Sequence, residues 1–128
     1  MERIWWVGLG GLLGSIGRYL LGGALNRLRE GAVFPYETLV INVLGCLLIG
    51  VLAGLGETKG VFGPAARAFL LIGLLGGFTT FSTFGYETFQ LLRAGQLGAA
   101  VASTLLQVTL GLGAVWSGDR LVRLWWGS

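Results

Sequence analysis

The residues best suited to chemistry lie in one run, Gly76-Gly77-Phe78-Thr79-Thr80-Phe81-Ser82-Thr83-Phe84. Between residues 78 and 84 four hydroxyl side chains alternate with three phenyl rings. Hydroxyls can donate hydrogen bonds to an anion, and the edge of a phenyl ring carries the positive part of its quadrupole. Adjacent glycines followed by threonines also make a poor helix, since glycine costs about 1 kcal/mol relative to alanine and threonine is disfavoured too. The run therefore predicts a helix break between about residues 76 and 80, leaving carbonyls free for a cation and amides free for an anion. The plainer alternative is a glycine packing notch, with each hydroxyl bonded back to its own helix. That alternative explains one such residue better than it explains seven in succession.

Other polar groups are few and scattered through apolar surroundings. Asn42 interrupts Leu39-Val40-Ile41-Asn42-Val43-Leu44-Gly45, where an unpartnered amide would be costly. Its two readings are a helix-to-helix hydrogen bond and a lining group. Arg18 and Glu87 are charges within or beside apolar stretches, which makes them functional candidates, although Arg18 could simply snorkel to an interface. Ser103, Thr104, Gln107 and Thr109 add polar atoms late in the chain, with Ser103 and Gln107 four apart on one helical face. Histidine is absent and Cys46 is the only cysteine, which excludes an internal disulfide and a Cys/His nucleophile pair and leaves Ser82 no imidazole to activate it. Enzymatic activity is not expected.

What positions these residues is lipid. The chain is 54% hydrophobic and 12% charged, with a mean hydropathy of +0.76; a typical soluble domain is about 25% charged. A bilayer core takes about 20 apolar residues per helix. Stretches of that order run over residues 4–25, between Glu37 and Glu57, between Arg67 and Glu87, and between Arg93 and Asp119. The expected architecture is all-α, one domain over residues 1–128, with four transmembrane helices and the third broken near its middle. Turn residues fall between the spans at Pro35, Gly60, Gly63 and Gly95, while Trp5, Trp6, Phe34, Tyr36, Trp116, Trp125 and Trp126 sit near the span ends as interfacial anchors. The N-terminal stretch reads as a retained first span rather than a cleaved leader.

With four spans, Arg3, Lys59, Arg67, Arg120 and Arg123 fall on one side, and Arg18, Arg27, Arg29 and Arg93 on the other. Lysine and arginine asymmetry sets membrane orientation, and here it is nearly zero, which permits insertion both ways round and an antiparallel homodimer. The nine basic residues form no cluster suited to a phosphate backbone, so no nucleic-acid partner is expected.

Three segments resemble the Fluc fluoride channels, also called CrcB proteins: the Gly76–Phe84 run most closely, then Gly14-Ser15-Ile16-Gly17-Arg18-Tyr19 and Thr38-Leu39-Val40-Ile41-Asn42-Val43-Leu44-Gly45. The resemblance covers essentially the whole chain. It implies a multi-pass protein of the cell (inner) membrane that exports fluoride passively through two pores in a dual-topology antiparallel homodimer with an identical subunit. It also implies a structural sodium ion held by backbone carbonyls of Gly76 and Thr79. Carried over residue by residue, it makes Phe81 and Phe84 the pore phenyls, Asn42 the lining amide, Ser82, Thr83 and Glu87 members or neighbours of the polar track, and Arg18 the vestibule charge. Glu37 and Cys46 depart from the family pattern, which has smaller or more serine-like residues there. A small dual-topology multidrug-type exchanger is the alternative, but it needs a first-span carboxylate, and residues 4–25 contain none.

Overall fold

The computed structural model describes residues 1–126 and is all-helical. Four helical segments are long and apolar enough to cross a membrane: Glu2–Leu28, Tyr36–Lys59, Pro64–Arg93 and Leu97–Trp126. The chain is thus built as a multi-pass membrane protein.

Within the third segment the hydrogen-bonding pattern changes along its length. It is α-helical over Pro64–Arg67, widens to a π-helix over Ala68–Leu74 and returns to α over Leu75–Phe78. Thr79 and Thr80 are then extended (φ −82°, ψ 158° and φ −151°, ψ 112°), and a new α-helix runs over Phe81–Arg93. The fourth segment does not stop at Asp119 but continues to Trp126. The physical reason is local: Arg123 Nε donates to Asp119 Oδ2 at 2.7 Å, an i,i+4 pair that suits a helix interior, while its Nη2 reaches Glu57 Oε2 of the second span at 3.2 Å. Trp125 and Trp126 are consequently part of the helix.

Glycine decides which helices meet. Gly10 and Gly14 of the first span face Gly73 and Gly77 of the third, and all but Gly77, which is half-buried, are buried. A Cβ on Gly14 would run into the Leu74 carbonyl and come within 2.9 Å of the Phe78 amide nitrogen; one on Gly73 would lie 2.6 Å from the Val7 carbonyl oxygen. Gly50 and Gly118 do the same for the second and fourth spans, where a Cβ on Gly118 would sit 2.8 Å from the Val51 nitrogen. In lipid, apolar side chains gain nothing by hiding from the solvent, so backbone-to-backbone packing at small residues supplies the association. Leu12, Ile72, Leu105 and Leu112 accordingly stay on the outside.

The third span changes neighbours at Thr79 and Thr80. Its leading half packs on the first span, whereas its trailing half, Phe81–Arg93, packs on the fourth and touches the second. The second and fourth spans form the other close pair.

The glycine seams generate a direct expectation. Gly14→Ala and Gly50→Ala should each destabilise the protein by about 1–3 kcal/mol, the usual cost of overpacking a close contact. Gly8→Ala, which meets nothing within 4 Å, should be neutral or slightly stabilising. Reversible unfolding in detergent, compared across the three variants, checks the ordering.

Candidate functional site

The site is organised around the peptide groups of Thr80. Once the backbone leaves the helix, the Thr80 N–H and C=O need partners, because an unpaired peptide group in lipid costs several kcal/mol, of the order of 2–7. The Asn42 carboxamide meets both. Its Oδ1 accepts from the Thr80 N–H at 2.9 Å, and its Nδ2 donates to the Thr80 carbonyl at 3.1 Å. The second Nδ2 proton goes to Gln107 Oε1 on the fourth span, also at 3.1 Å. Asn42 therefore joins three spans, and both its donors and its acceptor are engaged.

Around this clamp each half of the third span is finished locally. Thr79 turns its hydroxyl back to the Leu75 carbonyl at 2.9 Å, and its N–H meets the same oxygen at 3.0 Å. Because the Thr80 N–H is taken by Asn42, the Gly76 carbonyl lacks the partner four residues on that a continuing helix would supply. Gly76 is exposed, and nothing lies within 4 Å of where a Cβ would be. On the other side Thr80 is the N-cap of the trailing half: its Oγ1 accepts from the Thr83 N–H at 3.3 Å and donates to Thr83 Oγ1 at 3.0 Å. Ser82 is exposed with its hydroxyl 3.4 Å from Thr80 Oγ1. The carbonyl end of one helix and the amide end of another thus lie two residues apart, which brings a site for positive charge next to a site for negative charge.

Gly45 makes room for this geometry. It is buried, and a Cβ there would overlap the Thr79 Cγ2 methyl. Thr38, Asn42 and Gly45 fall on one face of the second span, so a single helical stripe supports Glu87, holds Thr80 and admits Thr79. Thr38 is 2% exposed and donates to Glu87 Oε1 at 2.8 Å.

The residues singled out in the sequence do not line one cavity. Asn42, Gly76, Thr79, Phe81 and Phe84 share a groove of about 400 Å³. Phe81 is 82% exposed, and its ring meets that of Phe84 edge-on, with centroids 5.5 Å apart. Arg18 and Thr83 line a second cleft of about 700 Å³ with Ser15, Glu37 and Thr38. Glu87 borders a third, of about 350 Å³, between Tyr36, Tyr86 and Gln90. Thr80 belongs to both the groove and the second cleft and forms the wall between them. No group of three or more His, Cys, Asp or Glu capable of holding a metal occurs among the described residues, so a cation here would depend on carbonyl oxygens.

Three participants escaped the sequence reading: Thr38, Thr80 as a clamped cap, and Gln107 as the partner of Asn42. The four-residue spacing of Thr38 and Asn42 was the available signal for the first. Further buried polar atoms on the same elements, Glu87 Oε2, Thr88 Oγ1, Ser103 Oγ and Gln107 Nε2, have no protein hydrogen-bond partner, and Ser103 is 0% exposed.

Fold and site together define a small four-span membrane protein whose polar groups are gathered inside its spans around extended backbone. A family model described as "CrcB-like protein, Camphor Resistance (CrcB)" matches residues 5–119, and the chain belongs to that family. It is 44% identical to the "Fluoride-specific ion channel FluC" of Methylobacillus flagellatus over 97% of each chain. The protein of the same description from Thermus thermophilus is 47% identical over 94% of this chain and 95% of its own. That from Nitrobacter winogradskyi is 45% identical over 92% and 93% respectively.

Two variants probe the clamp. Asn42→Leu strands the Thr80 N–H and carbonyl and Gln107 Oε1, and should destabilise by at least about 3 kcal/mol, since each unpaired buried group costs about 1–3 kcal/mol. Gly45→Ala should displace the stiff β-branched Thr79 and lower stability by about 1–3 kcal/mol, while leaving helix content unchanged. Detergent unfolding followed by circular dichroism measures both.

Proposed function

We propose that the protein is a fluoride-selective passive channel, an ion channel and not an enzyme, that lets fluoride leave the cell down its own gradient across the cell (inner) membrane. The family assignment and the description carried by its relatives support fluoride as the ion. The observation that carries the reading in this chain is the pair of extended residues, Thr79 and Thr80, held by Asn42 at membrane depth beside an exposed Phe81.

Fluoride is small and strongly hydrated, so a path through lipid has to offer donors in place of water. The Thr83 and Ser82 hydroxyls, the first amides of the trailing half and the edges of the Phe81 and Phe84 rings are such donors. None is a full positive charge, which favours release over tight retention. The unpartnered atoms of Glu87, Ser103 and Gln107 support a wet route, because burying them in a dry one would be costly. Arg18, in the wide cleft, would gather anions at the mouth. In this reading Asn42 acts chiefly by holding the lining in shape, since its amide is fully engaged.

The active unit in this proposal is an antiparallel dual-topology homodimer with two pores. A Phe81 that is four-fifths exposed beside an apolar groove suits burial against a second copy, and the balanced basic residues suit insertion in both orientations. A sodium ion fits the carbonyl groups of Gly76 and Thr79: the first has lost its helical partner, the second is directed by extended backbone, and no Cβ crowds Gly76. Such an ion would supply a fixed positive charge tying two copies together; it would not be transported.

Proteoliposomes are expected to release fluoride at least about 100-fold faster than chloride, as measured with an ion-selective electrode. Equal rates for the two ions would overturn the selectivity. Phe81→Ile should reduce fluoride efflux by at least about tenfold while the dimer persists on size exclusion; undiminished efflux would remove the ring from the path.

A further inference from the structure

Glu37 occupies a position that neither the channel reading nor the family assignment explains. It stands in the first turn of the second span and lines both the cleft of about 700 Å³ and that of about 350 Å³. Its carboxylate accepts from Asn26 Nδ2, at the end of the first span, and packs where a Cβ on Gly22 would otherwise lie. The Asn26–Glu37 contact therefore forms a wall common to the two clefts.

The charge on that wall is not cancelled by an ion pair. Arg18 and Arg27 line the same large cleft, yet among the described residues the only ion pairs are those of Arg123 with Glu57 and Asp119. The partner chosen by Glu37 is a neutral amide, which holds the carboxylate in place without reducing its charge. On the other cleft it shares the lining with Glu87 and Arg29. A negative charge in a cleft with low-dielectric walls changes the local concentration of mobile ions of either sign.

We infer that Glu37 sets the rate at which anions gain access to the site, its carboxylate opposing the attraction exerted by Arg18 and Arg27 at the mouth of the larger cleft. The inference rests on the channel reading and deepens it: the polar path would be supplied through a mouth whose charge is deliberately offset. A carboxylate serving only as a favourable charge at a helix N-terminus would affect stability, not access.

Salt separates the two roles, because the Debye length falls from about 30 Å at 0.01 M to about 3 Å at 1 M. Initial fluoride efflux is measured from proteoliposomes containing the wild type, Glu37→Gln, Glu37→Ala or Glu37→Asp, at both ionic strengths. Each neutral variant that assembles should be about two- to fivefold faster than wild type at low ionic strength, and this advantage should vanish at high ionic strength. Glu37→Asp, which keeps the charge but shortens the reach to Asn26, should retain the wild-type salt dependence. Neutral variants that are equal or slower at low salt, an acceleration that persists at high salt, or an Asp variant behaving like Gln would each overturn the inference. Wild-type vesicles that hold their fluoride would overturn the channel reading along with it, whereas wild-type efflux with unresponsive variants sinks only the role of Glu37.

Discussion

A peptide group that leaves a helix inside lipid has no water to turn to, and the carboxamide of Asn42 stands in for that water at Thr80. One side chain meets the N–H and the carbonyl of the same residue and still has a proton left for Gln107. The exchange resembles a rung of an antiparallel ladder, with an asparagine in place of a strand. Because both backbone groups of Thr80 are satisfied, the chain can be extended there without stranding them, and the third span can change neighbours.

The rest of the molecule reads as a means of keeping that junction in register. The second span brings Asn42, Thr38 and Gly45 on one face, so its rotation about its own axis decides clamp, carboxylate support and methyl clearance together. Gly50 and Gly118 fix that rotation by letting backbone approach backbone. On the far side Gly10 and Gly14 seat the leading half of the third span at comparable closeness. A methyl group at any of these positions would shift a helix rather than a side chain, because the atoms opposed to it are carbonyls and amides. Exposed ion pairs such as Arg123 with Glu57 contribute little beside this, as surface pairs are worth about 0–1 kcal/mol.

Electrostatically, the junction puts helix carbonyls and helix amides within two residues of each other, while the formal charges are kept at the margins. Arg18 and Glu37 line the larger cleft and Glu87 is held by Thr38, so the junction itself is furnished with dipoles, hydroxyls and ring edges alone. Such groups bind an ion less tightly than a full charge does, and their orientation, set by packing, determines which sign they favour. Thr80 lines both the groove of Phe81 and the cleft of Arg18, so the clamp is also the partition between them.

The amino-acid sequence alone determined the four apolar segments, their number and approximate limits, because hydropathy is a property of composition over a window and needs no partner. It also marked Gly76 to Thr80 as a weak place for a helix, since propensity is local, and it singled out Asn42 because an amide among aliphatics is conspicuous. Tertiary structure decided what those residues do: that the weak place becomes two extended threonines, that Asn42 spends its amide on Thr80 and Gln107, and that Thr38 supports Glu87. The helix running on through Asp119 was likewise settled by a pairing with Arg123 that a charge count reads as an end. These outcomes depend on which faces meet across spans tens of residues apart, and that is set by glycine contacts whose partners no local window contains.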